Sequence, residues 1–172
     1  MPNWCNNTLN IHGDYDTLVE LKSVCETGKG LLQAIKPMPK ELEGTTAPKD
    51  TPNWYDWCNE NWGTKWDPEV HLEFIDNGDG TAEITGYFDT AWAPPEAAIG
   101  SLIEDWDSCF IELTYFEPGM GFVGLIDSEG GDAYYENIDE LLDTTAEEDP
   151  TLCQLLEDYA VAGCYDFEEE EE

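Results

Sequence analysis

Beyond Lys65 this sequence contains no lysine and no arginine, and that absence constrains what the chain can fold into more than any other feature. The six lysines (Lys22, Lys29, Lys36, Lys40, Lys49 and Lys65) share the first 65 residues with nine acids, while residues 66–172 hold the other 31 of the 40 Asp and Glu. The formal net charge is −34. Self-repulsion on that scale opposes a compact state, so a folded chain must offset it with apolar burial and spread its carboxylates over the surface. The material for a core is present. Of the 172 residues, 41% are hydrophobic and 12% aromatic, with seven Trp, eight Tyr and six Phe, which separates the chain from acidic disordered polymers. The length fits one domain with at most a small appendage.

Periodicity lays out the elements. Thr8-Leu9-Asn10-Ile11-His12 alternates as a half-buried strand does, and Gly13 ends it. Asp14 or Asp16 then caps a helix carrying Leu18, Leu21, Val24 and Cys25 at helical spacing and stopping at Gly28. Residues 30–69 read as a long irregular insertion with five prolines, which Trp54, Tyr55, Trp57, Trp62 and Trp66 would fold into an ordered aromatic lobe. Strands are expected at 70–75 and 82–88, a helix at 97–106 and a strand at 108–116. The order is β-α-β-β-α-β, an α+β ferredoxin-like arrangement. A further hairpin is expected from 121–126 and 133–136, extending the sheet. A short helix at 138–142, a final helix from Pro150 with Leu152, Leu155, Leu156, Tyr159 and Ala160 in a stripe, and an acidic tail at 168–172 complete the chain. The domain division is a ferredoxin-like domain at 1–137 and an acidic helical extension at 138–172.

Motifs for chemistry are absent or fail on register. Asp76-Asn77-Gly78-Asp79-Gly80 looks like a calcium loop, but its third and twelfth positions are Gly78 and Tyr87 instead of ligands. A hairpin turn accounts for it. The six cysteines (5, 25, 58, 109, 153 and 164) have wide spacings and no CxxC pair, so they read as reduced thiols and small core residues. His12 and His71 alternate within strands and read as structural or exposed. There is no phosphate-binding loop, nucleophile elbow or dinucleotide fingerprint. The expectation is a non-enzyme with no metal and no cofactor. No apolar run approaches the roughly 20 residues of a membrane span, and residues 1–10 lack a leader's basic and apolar regions, so a cytoplasmic location without membrane contact is expected.

Surface scaling gives such a chain about 8,500 Å² of surface, or roughly 250 Å² per net charge. Duplex DNA, with one charge per ~1.7 Å of axis, has on the order of 110 Å² per charge. With most of the charge on half its surface, the protein approaches DNA's density. Direct nucleic-acid binding is thereby excluded, and a polyanion-mimicking surface is the leading reading, ahead of solvation and salt adaptation.

Three segments carry a family resemblance: Met1-Pro2-Asn3-Trp4-Cys5-Asn6-Asn7; Trp54-Tyr55-x-Trp57-Cys58-x-x-Asn61-Trp62-Gly63-Thr64-Lys65-Trp66-Asp67; and Phe88-x-Thr90-Ala91-Trp92-x-Pro94-Pro95. Tyr115-Phe116-Glu117 and Gly121-Phe122-x-Gly124 continue it. Together they resemble the YubB ferredoxin-like family of phage, plasmid and other mobile-element proteins. The resemblance implies a ferredoxin-like fold and a mobile-element origin, hence a bacterial host cytoplasm, and supplies no catalytic residues.

The functional expectation joins charge to resemblance. It is an acidic phage or mobile-element protein that inhibits a basic, nucleic-acid-binding host protein, most naturally a defence nuclease or related complex, by presenting a DNA-mimicking surface. The expected partner-binding ridge is Asp127, Glu129, Asp132, Glu136, Asp139, Glu140, Asp143, Glu147, Glu148, Asp149, Glu157 and Asp158. An alternative is a nucleotide- or peptide-binding protein or enzyme using an aromatic pocket of Trp57, Asn61, Trp62, Lys65, Trp66 and Asp67. In the competing structural reading of that motif, aromatic faces and an acid hold Lys65 and anchor the insertion. A third option is an assembly protein associating through its added hairpin or terminal helix.

Overall fold

Apolar residues at alternate positions make the first strand the spine of the molecule. In the computed structural model, which describes residues 2–138 and 149–159, β1 runs Trp4–Asp14 and buries Cys5, Asn7, Leu9 and Ile11 on one face. It is longer at both ends than the alternation alone indicated. Asp14 then caps α1 (Tyr15–Leu18) by accepting from the Asp16 N–H at 3.1 Å. The single helix expected here is broken: a 3-10 turn at Val19–Leu21 separates α1 from α2 (Lys22–Thr27). The cause is geometric. A segment tightened toward three residues per turn lines up positions i, i+3 and i+6, and Leu18, Leu21 and Val24 are all buried. Gly28 closes α2 at φ +69°, where a Cβ would meet the Val70 carbonyl at 2.9 Å.

The insertion is an ordered lobe, as its aromatics indicated. It contains α3 (Leu31–Ile35), a 3-10 turn at Lys40–Leu42 and α4 (Trp54–Asn61). Leu31, Leu32, Cys58 and Trp62 join the main core directly. The chain re-enters the sheet as β2 (Val70–Asp76) and β3 (Thr81–Ala91), and the acids of the calcium-like string serve the turn between them. The Asp76 carboxylate accepts from the Gly78 N–H at 2.8 Å and that of Asp79 from Thr81 N–H at 3.0 Å. Next come α5 (Glu96–Asp105), which buries Ala98, Ile99 and Leu102, and then β4 (Phe110–Glu117). The added hairpin is β5 (Phe122–Asp127) and β6 (Asp132–Tyr135), and α6 spans Pro150–Asp158. Residues 139–142 of the expected short helix, Ala160 of the expected stripe and the acidic tail lie outside the described residues.

All strand pairs are antiparallel, in the order β2-β3-β1-β4-β5-β6. The first four make the ferredoxin-like sheet, and β5 and β6 extend it beyond β4. One face packs on α1, α2, α5 and the lobe. On the other face α6 covers only the β4–β5 end, through Leu152 and Leu155 against Phe116, Val123 and Ile138. The rest of that face, over β2, β3 and β1, exposes His12, His71, Glu73, Tyr87 and Asp89.

The β4–β5 pair explains one glycine. Tyr115 lies opposite Gly124, and a Cβ on Gly124 would fall 2.4 Å from the Tyr115 ring and hydroxyl. Tyr115 is only 1% exposed, so it has nowhere to swing. Gly124→Ala is therefore expected to cost about 1–3 kcal/mol through overpacking, read as a lower urea midpoint. A midpoint equal to that of the parent would show that Tyr115 has more room than this.

Candidate functional site

The Trp-rich stretch does not form a single pocket. Trp62 points inward, 4% exposed, and its indole N–H donates to the Lys36 carbonyl at 2.8 Å. Trp57 packs edge-to-face against it, with ring centroids 5.5 Å apart. The Asn61 amide donates back to the Trp57 carbonyl at 3.0 Å, within its own helix. Lys65 points outward, its Nζ 4.2 Å from the Trp66 ring centroid and 5.6 Å from that of Tyr55. Asp67 does not pair with Lys65. Its carboxylate accepts from the Leu32 and Gln33 N–H groups at 3.0 and 2.8 Å and so caps α3 from a distance in sequence. Burial pushes its pKa above the usual carboxylate value while those N–H groups pull it down. Lys65 thus sits on aromatic faces as the structural reading of the motif held, with the acid spent elsewhere. Trp66 and Asp67 line a groove of about 320 Å³ with Trp4, His71, Tyr87 and Asp89, whereas Lys65 borders a separate one with Trp54 and Tyr55.

The expected acidic ridge is divided. Asp139, Glu140, Asp143, Glu147 and Glu148 lie outside the described residues. Asp127 is occupied with its own turn, accepting from the Glu129 and Gly131 N–H groups at 2.8 Å each. Asp149 caps α6, accepting from Thr151 and Leu152 N–H at 3.1 Å and from the Tyr135 hydroxyl at 2.8 Å. Glu129, Asp132, Glu136, Glu157 and Asp158 are exposed. The register places Asp132 on the face shared with Tyr115 and α5, opposite the face that α6 covers with Glu157 and Asp158. They do not make one ridge. Asp127, opposite Glu112, shares the face of α6, and so do four acids that were given no place in that ridge: Glu73, Glu83, Asp89 and Glu112, at alternate positions of β2, β3 and β4. Asn6 donates to Asp89 at 2.7 Å, Asn10 to Glu112 at 3.3 Å, and His12 lies 3.6 Å from Glu83. Strand alternation was the signal for them.

A third arrangement brings the distinctive sequence segments together. The Asn7 amide, 1% exposed, donates to the carbonyls of Cys5 and Phe88 and to the Thr90 hydroxyl. Thr90 donates on to the Ala93 carbonyl at 2.8 Å, and the Thr64 hydroxyl donates to the Ala91 carbonyl at 3.0 Å. The Trp92 N–H donates to the Asn3 carbonyl and the Ala93 N–H to the Ala91 carbonyl, both at 2.9 Å. The last bond closes a three-residue turn with Trp92 at φ +72°, a rare and strained conformation for a non-glycine residue. Three segments far apart in sequence hold one turn, and its Trp92 side chain is 51% exposed. Beside it lie Tyr115 and Glu96, joined hydroxyl to carboxylate at 2.5 Å, and the exposed Tyr134. Each segment was readable as a motif; their meeting at one turn depends on the β1–β3 register.

The described cysteines are free thiols, and burial pushes Cys58 up to about 11, so it stays protonated at neutral pH. Among the described residues no trio of His, Cys, Asp or Glu is placed to hold a metal ion, and no helix is long and apolar enough to cross a membrane.

Residues 61–156 match the family model described as a ferredoxin-like domain in Api92-like protein. The chain belongs to that family. This agrees with the ferredoxin-like expectation and names the Api92-like family where the sequence segments had pointed to YubB. The crystal structure of protein api92 from Yersinia pseudotuberculosis is similar over 61% of this chain and 38% of that one, with 19% identity and a TM-score of 0.40. No curated protein matches the sequence.

Asp149 carries a pH dependence. The Leu152 N–H, the Tyr135 hydroxyl and the Thr151 N–H hold its pKa below the ordinary 3.8. A depressed folded-state pKa gives stability that is present above the unfolded value and lost as pH falls through the folded one. Asp149→Asn should therefore lower the denaturation midpoint at pH 7, and the gap to the parent should close below pH 3.8. A gap that persists unchanged at pH 3 would mean that the carboxylate's charge is not what docks α6.

Proposed function

We propose that this protein is a non-enzymatic inhibitor that occupies the Lys/Arg-lined groove of a nucleic-acid-binding protein by presenting a DNA-like negative surface. The observation that carries the reading is how the charge is left. Among the described residues no lysine lies within ion-pair distance of a carboxylate, and the one pair is the exposed His12 with Glu83. A surface of 10200 Å² with a net charge of −34 has one uncompensated charge per roughly 300 Å² on average. Leaving so many charges uncompensated strains the compact state through self-repulsion. A partner with complementary potential is drawn to them, binds faster and is closed to nucleic acid. The extended strands of that face carry Glu73, Glu83, Asp89 and Glu112, on strands ~4.8 Å apart whose same-face positions recur every ~6.6 Å, and α6 adds Glu157 and Asp158. The resemblance to mobile-element proteins favours a host defence nuclease as target and a cytoplasmic setting.

The test is displacement. The immobilised protein should retain bacterial DNA- or RNA-binding proteins that a short duplex releases, and retention should fall steeply with salt. Replacing Glu73, Glu83, Glu112 and Asp158 with Gln or Asn should reduce retention at least tenfold and flatten the salt dependence. Retained proteins that ignore competing duplex, or a quadruple variant that retains as well as the parent, would overturn the reading.

A further inference from the structure

The clamped turn borders a groove of about 450 Å³ whose lining includes Trp92, Glu96, Tyr115, Phe122, Asp132 and Tyr134. Its rings form a connected series: Tyr115 and Phe122 have centroids 6.2 Å apart and Phe122 and Tyr134 5.7 Å. Trp92 and Tyr134 are its most exposed rings, each 51% exposed. Two carboxylates border it, one of them, Glu96, held by the Tyr115 hydroxyl. Aromatic faces attract a cation through the ring quadrupole, and carboxylates add to that field. An anion is repelled here, and a neutral apolar group covers the carboxylates without pairing them, at a desolvation cost.

The chain already shows this chemistry elsewhere with its own lysines. Lys22 sits 5.4 Å from the Phe74 centroid, and Lys65 lies over Tyr55 and Trp66. Among the described residues no lysine lies over the rings of this groove. The fold also commits structure to presenting them: bonds from Asn3, Asn7, Thr64 and Thr90 fix the turn that carries Trp92. We propose that this groove receives a lysine or arginine side chain from a partner protein. The source of the cation rests on the proposed function; the groove's preference for a cation rests on its own lining.

The experiment uses the full chain labelled with ¹⁵N and end-blocked Gly-Arg-Gly and Gly-Lys-Gly peptides. Their citrulline and acetyl-lysine counterparts serve as neutral controls. A cationic peptide should shift the Trp92 indole and the β6 amides most and bind at least about fivefold tighter than its neutral control, as a cation–π contact with paired carboxylates implies. The tighter of the two cationic peptides identifies the side chain. Tyr134→Ala and Asp132→Asn, both at exposed positions, should each weaken binding about fivefold. Shifts spread over the acidic surface without a focus at Trp92, neutral peptides binding equally well, or variants that bind as the parent does would each overturn the proposal. The two readings fail separately. Focused, cation-selective shifts in a protein that retains no duplex-displaceable partner keep the groove and remove the mimic. Diffuse shifts in a protein that does retain such partners remove the groove and keep the mimic.

Discussion

The buried amide of Asn7 is the interaction around which the molecule is organised. One nitrogen on the central strand reaches the Cys5 and Phe88 carbonyls and the Thr90 hydroxyl, all within 3.2 Å. Burying an amide is costly unless its hydrogen bonds are remade, so the site tolerates one register of β1 against β3. That register decides which side chains of β3 face the helices and where the strand ends. It also brings Thr90 and Ala93 into line and so fixes the turn at Trp92. The network is polar within a mainly apolar core, the setting in which a hydrogen-bonded group specifies geometry most strictly. The Oδ1 of the same amide has no partner among the described residues, so the arrangement is held on its donor side.

Around that centre the chain solves its charge problem by geometry. The apolar residues form one large core between sheet and helices and a smaller one under α6. Carboxylates that do enter the interior are given backbone N–H donors in place of cations. Glu117, 1% exposed, accepts from Gly119 and Met120, and Asp67 accepts from the first turn of α3. With no lysine or arginine after Lys65, the chain pairs no lysine with a carboxylate among the described residues and uses the partial positive charge of turns and helix starts instead.

Much of this architecture was legible from alternation and turn chemistry. The strands around Leu9 and Ile11, the Asp76–Gly80 turn, the β5–β6 hairpin and the helix after Pro94-Pro95 follow from local pattern, and so the ferredoxin-like order followed too. The element order of the structure and the family match over residues 61–156 bear out the ferredoxin-like class. What was not legible is whatever depends on facing. Trp62 and Trp66 are four residues apart with similar chemistry, yet one is core and the other lies under Lys65, because the lobe's path separates them. The acids of 127–158 read as one ridge in sequence, but α6 crosses to the opposite face from Asp132, and only the pairing register shows it. The 3-10 break between α1 and α2 was invisible for a similar reason: spacings of three fit both helix types until the sheet chooses.

The strand order leaves β2 and β6 outermost among the described strands. Outer strands offer unpaired backbone groups to any other extended chain, and proteins guard them with charge and brevity. Here β6 is four residues long and opens on Asp132, and β2 carries Glu73 and Asp76 on a strand preceded by Glu69. A second copy approaching either border in register meets carboxylates of the same sign. The carboxylates at these borders therefore oppose edge-to-edge joining of one sheet to another, and the same charge that strains the fold guards its open strands.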